Sequence, residues 1–201
     1  MKTPYIYHID PRIELISDFI DHDTCEHFIR IATTKLHRSR VMDEEQGGSK
    51  VTDARTSEHC WIKVDEDSVV SEVAQKIATL TNQPLNNAEN YQLVHYGIGQ
   101  EYKPHYDTFD LNGIAGQKAH ERGGQRLVTA ILYLNEVTQG GNTNFPKIGL
   151  EVEPVKGSLL IFHNCLNDTA TRHPKSLHGG MPVLAGEKWI VNLWFRESVF
   201  K

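Results

Sequence analysis

Long apolar runs are missing from this 201-residue sequence, and nothing in it reaches the length a membrane-spanning helix needs. Residues Met1 to Ile20 are broken by Lys2, Asp10, Arg12, Glu14 and Asp18, so no secretory leader is expected there. Cysteine is scarce. Cys25, Cys60 and Cys165 are an odd number at wide spacings with no C-x-x-C pair, which speaks against a disulfide framework or a zinc knuckle and for reduced, buried thiols. These absences together predict a cytoplasmic protein. A strong charge of either sign is also lacking: the net charge is −5, and no run of five basic residues occurs. Neither nucleic acid, an anionic membrane nor another acidic polymer is an expected partner. No internal repeat, low-complexity tract or linker divides the chain, so one domain over residues 1–201 is expected.

What is present falls into two parts. In Thr24 to Leu36, the residues Cys25, Phe28, Ile29, Ala32 and Leu36 recur at helical spacing, with Asp21 or Asp23 available as a cap. Val69, Val70, Val73, Ile77 and Leu80 form a second apolar stripe over about Asp67 to Leu80. Between these lies the polar stretch Asp43 to Arg55, which contains Gly47 and Gly48 and reads as a loop or a poorly paired hairpin. From Tyr91 onward, short β-type runs predict six strands: Tyr91 to Tyr96, Tyr102 to Asp107, Arg126 to Leu134, Gly149 to Val155, Ser158 to His163 and Lys188 to Phe195. The expected fold is α+β and mainly β: an antiparallel barrel or sandwich over about 86–201, buttressed by helices from about 1–85.

Within the β-rich part, His105-Tyr106-Asp107 sets an imidazole and a carboxylate two residues apart, on one face of an extended strand. Two histidines and one carboxylate with open positions suit non-haem iron(II). His163, His173 and His178 compete as the third ligand. His163 reads equally as a strand-end residue, and His173 as a solvated or structural one. His178 is set apart by its flanking Gly179 and Gly180 and by the proline that follows at Pro182. Ten residues on, alternation places Lys188, Ile190, Asn192 and Trp194 on one strand face. If that face is interior, Lys188 is a buried ammonium that needs an anionic ligand such as the distal carboxylate of a dicarboxylic keto acid. An edge lysine in water is the alternative.

These residues resemble the iron(II)- and 2-oxoglutarate-dependent prolyl 4-hydroxylases. The likeness runs from Arg55-Thr56-Ser57 through Ala88-Glu89-Asn90, Tyr96-Gly97, Tyr102-Lys103-Pro104-His105-Tyr106-Asp107, Gly123-Gly124-Gln125-Arg126, Gly140-Gly141 and Phe145-Pro146 to the segment Ser176 to Trp194. The resemblance implies a double-stranded β-helix (jelly-roll) core. It also implies iron(II) held by His105, Asp107 and His178, and 2-oxoglutarate gripped by Lys188 with help from Tyr96 and Thr143. Arg55, Tyr102, Arg126 and Trp194 are implied to surround a proline-containing peptide or protein substrate. The implied reaction uses O2, releases succinate and CO2, and hydroxylates C4 of a prolyl ring, with ascorbate as reductant. Met181 and Asn142 depart from the cysteine and glutamate common at those places among relatives. The polar stretch Thr108 to Arg122 reads as a loop over the entrance, and Asp43 to Lys50 as a second flap. A related dioxygenase with another target and a non-catalytic metal-binding module are the competing readings, and homodimerisation is left open.

Overall fold

The computed structural model describes residues 3–43, 45, 48–167 and 169–201; Gly47, on which the flap reading partly rests, and Met1 and Lys2 lie outside them. The strand Lys188–Arg196 organises the fold. It is buried along its whole length and alternates as its sequence requires, with Trp189, Val191, Leu193 and Phe195 on one face and Lys188, Ile190, Asn192 and Trp194 on the other. Arg126–Tyr133 and Tyr91–Tyr96 pair with it antiparallel on either side. The sheet continues beyond Arg126–Tyr133 through Leu159–His163, Arg12–Ile16 and Tyr5–Ile9, and beyond Tyr91–Tyr96 through Glu58–Ile62 and His37–Arg38, to eight strands.

The helices His22–Thr33 and Ser68–Thr81 cover one face of this sheet. Asp21 accepts the Thr24 N–H at 2.8 Å and Asp67 accepts the Val70 N–H at 2.9 Å, each satisfying a donor that the first turn leaves free. The second helix stops at Asn82 in the left-handed region, φ 51°. Phe28 and Ala32 from the first helix, and Val73, Ile77 and Ala78 from the second, join Val128, Ala130, Leu132, Val191 and Leu193 in one buried cluster. Full burial of a side chain the size of Phe, Val, Leu or Ile is worth roughly 1.5–3 kcal/mol, so this layer anchors the sheet.

The opposite face meets a smaller antiparallel sheet in the order Leu150–Val152, Thr143–Phe145, His178–Gly180, Tyr102–His105. Phe145 and Val152 from the small sheet pack on Tyr96, Ile131, Tyr133, Leu160 and Phe162 from the large one. Two sheets face to face with helices outside make the jelly roll that the resemblance implies.

Several local expectations need correction. Strands of two or three residues, such as Thr143–Phe145 and His178–Gly180, are too short to show a period, so the small sheet was only partly foreseen. The hairpin Tyr5–Ile9/Arg12–Ile16 and the strand Glu58–Ile62 belong to the β layer although they precede Tyr91. The stretch Thr108 to Arg122, expected as a loop, contains the helix Ile114–His120. That helix starts at Gly113 without a side-chain cap, and Gly116 lies so close to the Asp110 carbonyl that a Cβ would come within 1.9 Å of it. Val41–Asp43 pairs with Gly48–Lys50, so the first polar stretch is a hairpin at its start.

Candidate metal centre

Strand register brings the histidines together. His178–Gly180 pairs with Tyr102–His105 so that His178 stands opposite His105, with ring centroids 4.5 Å apart. The approach depends on Gly179, where a Cβ would meet the Tyr102 carbonyl at 2.9 Å. Asp107 lies two residues beyond the His105 end of its strand, not on the strand itself. The carboxylate still reaches both rings: His105 Nε2 is 3.6 Å from Oδ1, and His178 Nε2 is 3.6 Å from Oδ2. One nitrogen or oxygen from each residue falls within 4.8 Å of the others. These separations are long for hydrogen bonds, and they suit ligands about 2 Å from a shared ion.

Both imidazoles are oriented compatibly with such an ion. His105 Nδ1 lies 3.0 Å from the Lys103 carbonyl, and His178 Nδ1 lies 2.9 Å from the Ser176 carbonyl. A carbonyl only accepts, so each Nδ1 carries the proton and each Nε2 presents a lone pair. Burial pushes His178 down to about 4 against the pull of Asp107, which leaves the ring neutral at physiological pH. Burial alone would raise Asp107, but His178, His105 and Arg126 outweigh it and hold the carboxyl well below the usual range. A neutral His178 imidazole beside an ionised Asp107 carboxylate is the protonation state a divalent cation requires of these two groups.

Asp107 Oδ2 is held by two donors: the Thr129 hydroxyl at 2.6 Å and the Trp194 indole N–H at 2.8 Å. Thr129 and Trp194 face each other across the paired strands, and the Asn164 side-chain amide donates to the Thr129 hydroxyl at 2.7 Å. Neither Thr129 nor Asn164 was singled out from sequence. The available signal was a polar residue inside the apolar run Leu127 to Leu134, and another directly after Leu159 to His163.

A cavity of about 470 Å³ opens beside these groups. His105, Asp107, His178, Lys188, Tyr96, Thr143, Arg55, Tyr102, Arg126 and Trp194 all line it. Lys188 is 2% exposed and sits opposite Tyr96 in register. Its ammonium donates to the Gly141 carbonyl at 2.5 Å and has no carboxylate partner among the described residues. Burial without a compensating charge pushes it down to about 7. The interior lysine, not the edge lysine, is therefore the arrangement found. Thr143 is buried with its hydroxyl 2.8 Å from that of Tyr133.

The arginines are more committed than their sequence reading implies. Arg126 makes a forked pair with Glu89, at 2.6 and 2.8 Å, and lies over the Trp194 ring at 3.8 Å. Arg55 donates to Gln92 at 2.9 Å and covers the Tyr102 ring, which in turn stacks on His105 at 3.6 Å. His163 and His173 lie outside the cavity lining. His173 is not solvated: it is 3% exposed, with Nε2 3.1 Å from Asp10 and Nδ1 accepting the Lys175 N–H.

With this geometry in hand, comparison with known proteins is direct. The family model of the 2OG-Fe(II) oxygenase superfamily matches residues 91–196. Prolyl 4-hydroxylase 5 of Arabidopsis thaliana is 36% identical over 96% of this chain and 70% of its own length. A putative prolyl 4-hydroxylase of Acanthamoeba polyphaga mimivirus is 36% identical over 92% of this chain and 74% of its own. The viral collagen prolyl hydroxylase of Paramecium bursaria Chlorella virus-1, solved as its 2OG complex, superposes with a TM-score of 0.72 at 29% identity, covering 92% of this chain and 95% of that one.

Proposed function

The chain belongs to the prolyl 4-hydroxylases of the 2OG-Fe(II) oxygenase superfamily, and from that premise we propose how its cavity residues divide the work. It is an iron(II)- and 2-oxoglutarate-dependent dioxygenase that hydroxylates prolyl residues at C4 in a peptide or protein, releasing succinate and CO2. His105, Asp107 and His178 hold the iron in this reading, supported by two tautomer-fixed imidazoles and an ionised carboxylate converging on one point. Iron(II) bound there supplies the oxygen activation that couples decarboxylation of 2-oxoglutarate to hydroxylation.

The observation that carries the assignment of the co-substrate is Lys188, a buried ammonium without a carboxylate partner on the wall of the same cavity. An unpaired buried cation is costly, and the distal carboxylate of 2-oxoglutarate relieves it. Binding that dianion also raises the affinity of Lys188 for its proton, so the ammonium form is the one that receives it. Tyr96 and Thr143, both buried on the cavity wall, add hydroxyl groups alongside. Tyr102, stacked on His105, and Trp194, hydrogen-bonded to Asp107, place aromatic rings beside the triad for the prolyl ring to pack against. Ile131 and Ile190 keep part of the wall apolar and limit water beside the reacting carbon.

Ascorbate is proposed as the reductant that would keep a bound iron in its iron(II) state. A cytoplasmic setting is supported by three buried free thiols. The test is a proline-rich peptide incubated with the protein, iron(II), 2-oxoglutarate and ascorbate. A one-oxygen mass gain on proline with equimolar succinate is expected. Succinate without any peptide oxidation would redirect the assignment to another target.

A further inference from the structure

The charge around the cavity is at odds with the charge of the chain. The protein as a whole carries −5, yet seven cationic side chains line the cavity against three carboxylates. Those carboxylates are already occupied. Glu89 is shared between Arg126 and Arg196, Asp107 belongs to the triad, and Asp110 accepts both the backbone and side-chain N–H of Asn112. Iron(II) and 2-oxoglutarate, bound together, leave the balance unchanged because their charges cancel.

Three of the guanidinium groups make no ion pair with an Asp or Glu side chain among the described residues and are nevertheless anchored; besides the Asn112 hydrogen bonds, Arg172 lies near enough to Asp110 to help hold that carboxyl below its ordinary range. Arg40 donates from Nε to the Ser49 hydroxyl at 2.9 Å and from a terminal nitrogen to the Ser49 carbonyl. Arg122 donates to a backbone oxygen of Lys201 at 2.9 Å and lies over the Phe200 ring. Arg172 donates to the Thr108 hydroxyl at 2.7 Å and the Thr108 carbonyl at 3.1 Å, above the Tyr106 ring. Each is hydrogen-bonded on one side of its fork and keeps further N–H donors unspent. Arg40 and Arg122 are exposed and Arg172 half-buried, so they form the cavity's rim.

We infer that the substrate is acidic beside its target: a peptide or protein segment with Asp or Glu within about three residues of the hydroxylated proline, recognised by Arg40, Arg122 and Arg172. The inference rests on the prolyl hydroxylase reading and names the substrate class of that same site. A cavity of about 470 Å³ is about 10 Å across, which a polyproline-type strand rising about 3.1 Å per residue crosses in about three residues. A proline over the triad therefore brings its near neighbours to the rim. Anchored guanidinium groups with spare donors, in excess over the cavity's carboxylates, favour carboxylates there and disfavour lysine by like-charge contact. The net charge of the chain, which argues against acidic polymers, conceals this local excess.

Three peptides identical except at the two positions on each side of one proline, filled with Asp, Asn or Lys, test it. At low salt, kcat/KM should fall in the order Asp, Asn, Lys, with at least tenfold between the extremes, carried by KM. The spread should narrow when salt shortens the screening length. Arg40→Glu and Arg122→Glu, each on an exposed side chain, should shrink the preference, and the pair combined should favour the Lys peptide. Equal kcat/KM for all three peptides, or preference for Lys by the unaltered protein, overturns the inference while leaving prolyl hydroxylation intact. Failure of every peptide to gain oxygen overturns the reading beneath it and the inference together.

Discussion

Along the strand Lys188–Arg196, neighbouring residues face opposite surroundings. Trp189, Val191, Leu193 and Phe195 enter an apolar layer shared with two helices, where contacts are non-directional and similar side chains can substitute for one another. Lys188, Asn192 and Trp194, which share the other side with Ile190, enter the cavity and must each find a specific partner: Gly141, Gln92 and Asp107 respectively. The helix-facing layer supplies stability that the cavity side spends on buried polar groups. Substitutions on the two faces should therefore fail in different ways, and the contrast can be broken in either direction.

The largest effect is expected at the triad. His178→Ala should abolish hydroxylation by removing a ligand, while the metal-free protein stays folded with a lowered melting temperature, since the helix-facing layer is untouched and only the ring's packing on Phe145 and Phe162 is lost. Succinate formation near the unaltered rate at ordinary co-substrate levels would sink the ligand assignment.

Lys188→Met should come next and should split stability from function. Loss of the charged partner of a buried carboxylate should raise the KM for 2-oxoglutarate by roughly a hundredfold or more. The metal-free, ligand-free protein should become more stable, because methionine removes a buried, uncompensated ammonium. The sign can be followed with pH. The folded-state pKa of Lys188 is pushed down to about 7, so between there and the ordinary lysine value the unfolded chain binds more protons. Stability of the unaltered protein then rises with pH through that window. The melting-temperature advantage of Lys188→Met should be greatest near pH 6–7 and fade toward pH 10. A constant difference would mean that the ammonium is compensated in the folded state.

Leu193→Ala tests the opposite face. Leu193 is fully buried against the helices, and truncation there should cost about 2–5 kcal/mol in denaturant unfolding. Correctly folded molecules should keep the same KM for 2-oxoglutarate. A changed KM would show that the two faces communicate.

The two faces also differed in how far the sequence disclosed them. Helix stripes and the alternation of Lys188 to Phe195 expose the apolar layer directly, because burial imposes periods of 3.6 and 2. That His105, Asp107, His178 and Lys188 share one cavity was legible through spacing and resemblance. The network behind Asp107 was not, since Thr129 reaches Asp107 across 22 residues of chain, Asn164 reaches Thr129 across 35, and neither carries a motif. Trp194 was read as a substrate contact, and its hydrogen bond to Asp107, 87 residues away, depends on strand register alone. The helix Ile114–His120 stayed hidden because it lacks a cap residue and presents no apolar stripe.

The smallest effect sharpens the comparison most, because it concerns a polar residue buried as deeply as the core. The Thr129 hydroxyl accepts from Asn164, so its own hydrogen is directed to Asp107 Oδ2, where Trp194 also donates. With Oδ2 held by two donors, Oδ1 is the oxygen left facing His105. Thr129→Val keeps the shape and deletes one donor, and metal affinity should weaken by about 10–100-fold, as for other groups that orient a ligand. Thr129→Ser should restore it. Because Trp194 still holds Oδ2, the loss should be smaller than in Thr129→Val combined with Trp194→Phe. At saturating metal the KM for 2-oxoglutarate should not move, since Lys188 is untouched. Cobalt(II) titration followed by its visible absorption gives the affinity without any turnover. Unchanged affinity in Thr129→Val, with serine no different from valine, would place Thr129 with Leu193 as packing.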